Sequence, residues 1–434
     1  DLGWFAFATD TQLRANLATP SLPNDRLRQR EQRADFGVNY QIEPTNQVWI
    51  KGGHGRQTNA VAGAFVSAST ASSLQRLFST TIISPNGQLD GFDSGIRQND
   101  LQFRHSLRRG AWTIGWGVEH SEQKGNGSLT ATFNPARTRI TGTQTLKADD
   151  VWVSLLHGSG GQSQGQIDLF AQRSRASGAE TSGLDILTTP PRTFNLGTQT
   201  ASENHNELNP RLGYKWQMGA DQSLRWVSQR WRRPASAATL APVDTLGVGV
   251  NDRITSAGGL YTRHRLQWDA ETNARTFWRV AIDHERVNNG AVAQGATITD
   301  FEVTQLEGLL NRPEVFNAQS DLEETPIFNR GRIKSLSLAV NHLLQPKLAL
   351  TGNVIARDTR QEGTMAGRAI PYMPDTYLRV GARWSLAERW VLGASATYRS
   401  ARFGDEANTQ KLNAGWTLGL SAYHESADKR HAFQ

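Results

Sequence analysis

The 434-residue sequence contains no cysteine, which excludes a disulfide scaffold and thiolate metal sites. It also lacks any apolar run of about 18 residues, so no transmembrane helix is available. Mean hydropathy is low, at -0.52. A strand wall with one face in lipid produces such an average, because only alternate residues meet the lipid and the connections are polar. Chemical motifs are equally scarce. The ten histidines show no His-Glu-x-x-His spacing, no glycine-rich phosphate loop opens a helix, and no Gly-x-Ser-x-Gly elbow marks a hydrolase. The stretch Asp90-Gly-Phe-Asp93-Ser-Gly95 has the oxygen spacing of a calcium loop but reads more simply as a solvated loop tip. These absences predict a protein that is not an enzyme and that carries no cofactor or metal. The formal charge of +7 is spread along the chain instead of gathered in a patch, which argues against nucleic acid as a partner.

What is present is alternation. In residues 383–400, Trp390, Leu392, Ala394, Ala396 and Tyr398 fall on one face, and Val391, Gly393, Ser395, Thr397 and Arg399 on the other, because strand side chains alternate with a period of two. The arm before it repeats the pattern with Leu378, Val380, Ala382, Trp384 and Leu386 against Tyr377, Arg379, Gly381, Arg383 and Ser385. Similar segments recur along the chain, among them Phe5 to Leu17, Ala34 to Ile42, Trp112 to Val118, Leu208 to Met218 and Leu412 to Ala422. They add up to roughly 17 strands of around 10 residues, the length that crosses a bilayer when tilted.

The connections are sorted. Short turns at Glu43–Asn46, Arg109–Ala111, Gly158–Ser163, Gly219–Gln222, Ala270–Asn273, Leu344–Lys347 and Ala387–Arg389 alternate with long polar segments at 18–33, 53–98, 122–147, 176–204, 233–259, 288–331, 358–375 and 401–411. Short turns on one rim and long loops on the other predict an all-β fold: a transmembrane antiparallel up-and-down barrel of about 16–22 strands in the bacterial outer membrane, with the short turns periplasmic. Tryptophan, with 13 residues, clusters beside those turns. Trp112, Trp216, Trp226, Trp268, Trp278, Trp384 and Trp390 are expected to form an aromatic girdle at the level of the lipid headgroups.

The polar face is then the lumen. Arg104, Arg211, Lys215, Arg225, Arg263, Arg265, Arg279, Arg379, Arg383 and Arg399 are expected to line it, together with Arg14 and Lys51, against Asp10, Asp35, Glu43, Glu119, Asp168, Asp269 and Asp283. The excess of positive charge would attract anionic solutes; cross-strand ion ladders without a role in substrate choice are the competing explanation.

The last third carries a resemblance. Gly331 to Val340, then Ile370-Pro-Tyr-Met-Pro-Asp375 leading into a strand, then Tyr398-Arg-Ser-Ala-Arg-Phe-Gly-Asp-Glu-Ala-Asn408 and the strand after it resemble the closing strands of a TonB-dependent receptor barrel, over residues 330–434. That resemblance implies a 22-stranded barrel, an N-terminal plug that contacts a TonB-type energy-coupling complex, and uptake of a scarce ligand such as an iron chelate, cobalamin or a glycan. The chain begins Asp1-Leu-Gly3 and stops at Ala432-Phe-Gln434. It is therefore expected to be one barrel domain over 1–434, a fragment lacking the plug or a periplasmic domain and the last strand. The partners expected are outer-membrane lipid, the coupling complex or a periplasmic domain, and a small or oligomeric ligand, with an anion favoured by the charge. Three alternatives remain open at this point: an export pore fused to periplasmic tetratricopeptide repeats, an outer-membrane enzyme or adhesin with functional loops, and a soluble all-β propeller.

Overall fold

The computed structural model describes residues 1–16, 26–62, 88–133, 136–158, 163–186, 192–234, 239–251, 254–255, 258–289, 328–404, 407–409, 411–426 and 432–433. The strands in chain order are β1 (Leu2–Asn16), β2 (Arg26–Glu43), β3 (Asn46–Ala62), β4 (Gln88–Arg109), β5 (Trp112–Phe133), β6 (Ala136–His157), β7 (Gln164–Ile186), β8 (Arg192–Gln217), β9 (Gln222–Arg232), β10 (Asp244–Thr245), β11 (Val248–Gly249), β12 (Leu260–Asn273), β13 (Thr276–Asn288), β14 (Arg330–Gln345), β15 (Leu348–Gln361), β16 (Thr376–Ala387), β17 (Trp390–Arg399), β18 (Arg402–Phe403), β19 (Lys411–Leu412), β20 (Gly415–Glu425) and β21 (Ala432–Phe433). One 17-stranded antiparallel sheet holds all but the two short pairs β10–β11 and β18–β19. Each long strand pairs with its neighbours in sequence, β9 passing directly to β12 and β17 to β20. This is the expected up-and-down wall. Among the described residues β1 and β20 are not paired with each other, and no helix is long and apolar enough to cross a membrane.

Pairing fixes which residues share a face, since a slip of one residue would turn every side chain over. On the apolar face, Trp384 lies between Leu348 and Leu392, and Ala394 between Ala382 and Leu420. The band ends abruptly. Along β4 it runs Leu107, His105, Phe103, Leu101 and then turns polar at Asn99; along β5 it runs Trp112 to Val118 and turns polar at His120, which pairs with Asp149 at 2.6 Å. Above that line Glu122 meets Lys147 at 3.0 Å and Lys124 at 3.2 Å, and these ammonium groups, Lys147 first, hold its carboxyl below the usual range.

Two expectations are corrected. The segments 122–147 and 176–204 are not loops: β5 and β6 each run 22 residues, β7 runs 23 and β8 runs 26, so the sheet rises well past the bilayer. Polar residues occupy both faces there, which erases the hydropathy alternation. Threonines such as Thr130, Thr138, Thr143 and Thr145 supply the strand preference instead. Asp90 to Gly95 likewise belongs to β4, with Asp93 opposite Ser128, and is not a loop tip.

The second correction concerns β1. Its register with β2 sets Leu2, Trp4, Ala6 and Ala8 beside Tyr40, Val38, Phe36 and Ala34, so these even positions belong to the apolar face and Asp10 and Arg14 continue that face. Phe5 instead points to the polar side, its ring lying over Gly37 so closely that any Cβ there would clash. Aromatic and small apolar residues occupy both parities from Leu2 to Ala8, so only the partner strand reveals the face. Leu17 and residues 290–327 of the expected 288–331 loop lie outside the described residues.

Candidate functional site: the polar face and an inserted segment

All ten basic residues expected in the lumen occupy the polar parity of their strands. Arg104 is on β4, Arg211 and Lys215 on β8, Arg225 on β9, Arg263 and Arg265 on β12, Arg279 on β13, Arg379 and Arg383 on β16, and Arg399 on β17. Arg104, Arg211 and Lys215 have no carboxylate within ion-pair distance among the described residues, and the environments of the other seven fall into two groups. In the first, acids pair with them. Asp283 accepts Arg263 Nε at 2.6 Å and Arg265 Nη1 at 3.1 Å, Glu285 lies 3.5 Å from Arg263, and Asp269 accepts Arg279 at 2.7 Å with Arg225 at 3.7 Å. Lys51 sits between Asp35 at 3.2 Å and Asp100 at 3.6 Å. Across β2–β4 and β9–β13 the positive charge is therefore largely neutralised by cross-strand ladders.

The second group lies on β15–β17. Arg379 and Arg383 have no carboxylate within ion-pair distance among the described residues, and Arg357 joins them on the same face from β15. Arg399, diagonal to Arg379, is held at 3.5 Å from the Thr417 hydroxyl. The positive charge not paired with acids thus lies on this strip and on Arg104, Arg211 and Lys215, of which Arg104 and Arg211 donate to the carbonyls of Leu240 and Pro242. Arg357 was missed because the β15 stretch Asp358-Thr-Arg360 looks like the start of a polar loop.

Sequence alone also missed a piece of chain lying on this face. The connection after β9, expected as an outer loop at 233–259, folds back against the wall. Leu240 donates its amide to Gln102 on β4 at 2.7 Å and Ala241 to Glu119 on β5 at 2.9 Å, while Thr239 donates its hydroxyl to the same Glu119 oxygen. Arg104 donates to the Leu240 carbonyl at 3.2 Å, and Arg211 to the Pro242 carbonyl at 2.7 Å. Farther along, Leu246 donates to Gln166 on β7 at 2.7 Å, Gln229 on β9 donates to the Val248 carbonyl at 2.7 Å, and Arg263 on β12 to that of Gly249 at 3.1 Å. One short stretch reaches strands from β4 to β12, so the wall curves around it and the polar face is concave. Inward glutamines, a glutamate and arginines supply the partners that a buried backbone needs. Single-strand patterns cannot show that these side chains converge.

Between segment and wall lies a cavity of about 190 Å³ bounded by Glu119, Asp150, Arg211, Trp231, Thr239 and Pro242. Arg211 is almost fully buried there and stacks on Phe170, its guanidinium carbon 4.2 Å from the ring centre. Trp152 is buried under Gly115 and Gly117, where added Cβ atoms would strike its ring. At the far end of β12–β15, Ile254, Tyr261, Val287, Phe328, Ile333 and Ile370 form an apolar cluster, and Tyr261 donates its hydroxyl to Glu285 at 2.6 Å.

The seven tryptophans expected in a girdle are all on the apolar face. Trp112, Trp216, Trp226, Trp384 and Trp390 are 44–54% exposed, whereas Trp268 and Trp278 are partly covered by their neighbours. Polar groups meet several rings: His157 lies 4.5 Å from Trp112, His424 lies 4.4 Å from Trp390, and Trp278 donates its indole N–H to Thr272 at 3.2 Å. An apolar ring with one polar neighbour suits a water–hydrocarbon boundary.

No family model and no curated protein matches the sequence. Solved structures do. The chain is similar to the ferric yersiniabactin uptake receptor FyuA from Yersinia pestis, with a TM-score of 0.65 at 9% identity over 98% of this chain and 61% of that one. It is similar to the siderophore receptor PiuA from Acinetobacter baumannii, with a TM-score of 0.58 at 10% identity over 98% and 65%. For the ferric citrate transporter FecA the TM-score is 0.55 at 10% identity over 93% and 55%. The chain thus spans less than two thirds of the length of each of these proteins. The likeness establishes the fold: the strands are arranged as in the β-barrel wall of those proteins, over nearly all of the chain and not only its last third.

Proposed function

We propose that this chain forms the wall of an outer-membrane receptor that takes up a scarce anionic ligand, driven by a TonB-type coupling complex. The observation that carries the reading is the contrast on the concave face. Arginines of β9, β12 and β13 are neutralised by Asp269 and Asp283, while Arg379 and Arg383 have no such partner among the described residues. An unneutralised guanidinium strip in a confined passage concentrates anions and offers them bidentate hydrogen bonds. The inserted segment 239–249, held against the concave face from β4 to β12, suits a receptor that holds a ligand better than an open pore. Ferric chelates, the class in the names of the structural neighbours, are the first ligands to try.

The test is uptake of radioactive iron as ferric citrate by Gram-negative cells expressing the full chain, with and without a functional TonB-type complex. Saturable, coupling-dependent accumulation that falls in Arg379→Gln/Arg383→Gln is expected. Unsaturable entry independent of the coupling complex would replace the receptor with a passive pore.

A further inference from the structure

On the outer face, just beyond the apolar band of β1–β4, the wall carries a second basic surface. Arg14 on β1, Arg28 and Arg30 on β2, Arg56 on β3 and Arg97 on β4 are all exposed and border one open groove of about 770 Å³. They follow the apolar residues on the same parity: Phe36 and Ala34 lead through Gln32 to Arg30 and Arg28, Ile50 and Gly52 through His54 to Arg56, and Phe103 and Leu101 through Asn99 to Arg97. Four residues of strand separate Gly52 from Arg56 and Leu101 from Arg97. At about 3.3 Å per residue and a tilt of about 40°, these guanidiniums stand about 10 Å above the last lipid-facing position.

Their pairing is unfavourable as the chain stands. Arg14 faces Arg28 across β1–β2, and Arg56 faces Arg97 across β3–β4; directly opposed like charges destabilise a sheet. Arg30 is compensated by Asp10, and among the described residues Asp93 is the one acid bordering the groove. Among the described residues, none of Arg14, Arg28, Arg56 and Arg97 has a carboxylate within ion-pair distance. On the opposite face of the same strands the reverse holds, with Arg33 and Lys51 meeting Asp35 and Asp100. Arg33 and Lys51 inside are balanced by the protein; these four arginines outside are left for something else to balance.

We infer that this groove binds the phosphate groups of the phosphorylated glycolipid in the outer leaflet, clamping lipid against β1–β4. Position selects the occupant. The arginines continue the lipid-facing surface at headgroup height, where a polyanion lies in permanent contact with the wall, and guanidinium forks match phosphate oxygens in pairs. The inference rests on the apolar band facing lipid, and is independent of which ligand passes through the inner face.

The experiment uses the full chain extracted from outer membranes in mild detergent. Binding of purified bisphosphorylated lipid A is compared with that of enzymatically dephosphorylated lipid A and of inorganic phosphate, for the wild type, for Arg56→Gln/Arg97→Gln, and for the inner-face control Arg379→Gln/Arg383→Gln. Relief of the Arg–Arg opposition lets the first variant fold at least as well as the wild type, which the heat-modifiable gel shift of a closed barrel verifies. Expected are a loss of about tenfold or more in lipid A affinity for Arg56→Gln/Arg97→Gln, no loss for the control, and weak binding of the dephosphorylated lipid. Equal lipid A binding by wild type and Arg56→Gln/Arg97→Gln, or equal binding of phosphorylated and dephosphorylated lipid, overturns the inference. Competition by inorganic phosphate as strong as by lipid A would make the groove a site for free anions and overturn it as well. Absence of saturable, coupling-dependent iron uptake by the wild type, with its lipid A binding intact, would count against the receptor reading alone.

Discussion

The Glu119 carboxylate accepts the backbone amide of Ala241 at 2.9 Å through the same oxygen that takes the Leu240 amide at 3.0 Å. Glu119 on β5 therefore shares with Gln102, Arg104 and Arg211 the anchoring of the start of the inserted segment. In Glu119→Ala the Ala241 amide loses this acceptor while the Leu240 amide keeps Gln102, a loss worth about 1.5–3 kcal/mol for a bond to a charged group. The start of the segment should loosen, and single-channel conductance in planar bilayers should rise. Unchanged conductance would mean that the segment does not narrow the passage.

Asp283 receives both Arg263 and Arg265. Asp283→Ala leaves Arg265 without its carboxylate and Arg263 with Glu285 at 3.5 Å, and is expected to destabilise the wall by about 3 kcal/mol. Urea titration of the protein folded into lipid vesicles reads this directly. A cost near zero would show that water in the passage solvates both arginines.

Ala394 and Ser395 are adjacent but lie on opposite faces, Ala394 beside Leu420 and Ser395 beside Gly419. Ala394→Arg places a charge in lipid near mid-bilayer and should cost on the order of 2–4 kcal/mol, whereas Ser395→Arg should cost little. Folding into vesicles distinguishes them, and the reverse ranking would exchange the two faces throughout the sheet.

Arg379→Gln/Arg383→Gln removes two inner charges that have no carboxylate within ion-pair distance among the described residues. The reversal potential across a salt gradient should shift toward cation preference, while Arg263→Gln, already balanced by Asp283, should shift it much less. Equal shifts would place selectivity in the total charge instead of in the β16 strip.

A protease site inserted at Gly367, exposed in the connection after β15, should be cleaved on intact cells. One inserted in the turn at Glu388–Arg389 should be protected until the outer membrane is breached. The opposite outcome would invert the rims.

The sequence reading succeeded where each strand has one apolar and one polar face. Leu378 to Leu386 and Trp390 to Tyr398 needed only their own period to be assigned, and the short turns followed from them. It failed where that contrast disappears. The upper halves of β5 and β6 are polar on both faces, and the start of β1 is apolar on both, so period alone assigns neither. The inserted segment was hidden for another reason: Gln102, Glu119, Gln166 and Gln229 look like ordinary inward polar residues until the register brings them around one piece of backbone. The ion ladders were equally hidden, because Asp283 serves Arg263 and Arg265 on the neighbouring strand.

The anchoring of residues 239–249 also sets an order of assembly. Every long strand pairs with its sequence neighbour, so the wall can be zipped hairpin by hairpin at low loop-closure cost. The segment cannot seat itself that way. Its bonds to Arg104 and Gln102 span 136 and 138 residues, and its bonds to Gln229 and Arg263 require β9 and β12. It has no docking surface until β4 to β12 stand together, so it closes late and reports that the wall around it is built. A barrel arrested before that point would expose 239–249 to proteolysis while its strands were already protected from hydrogen exchange.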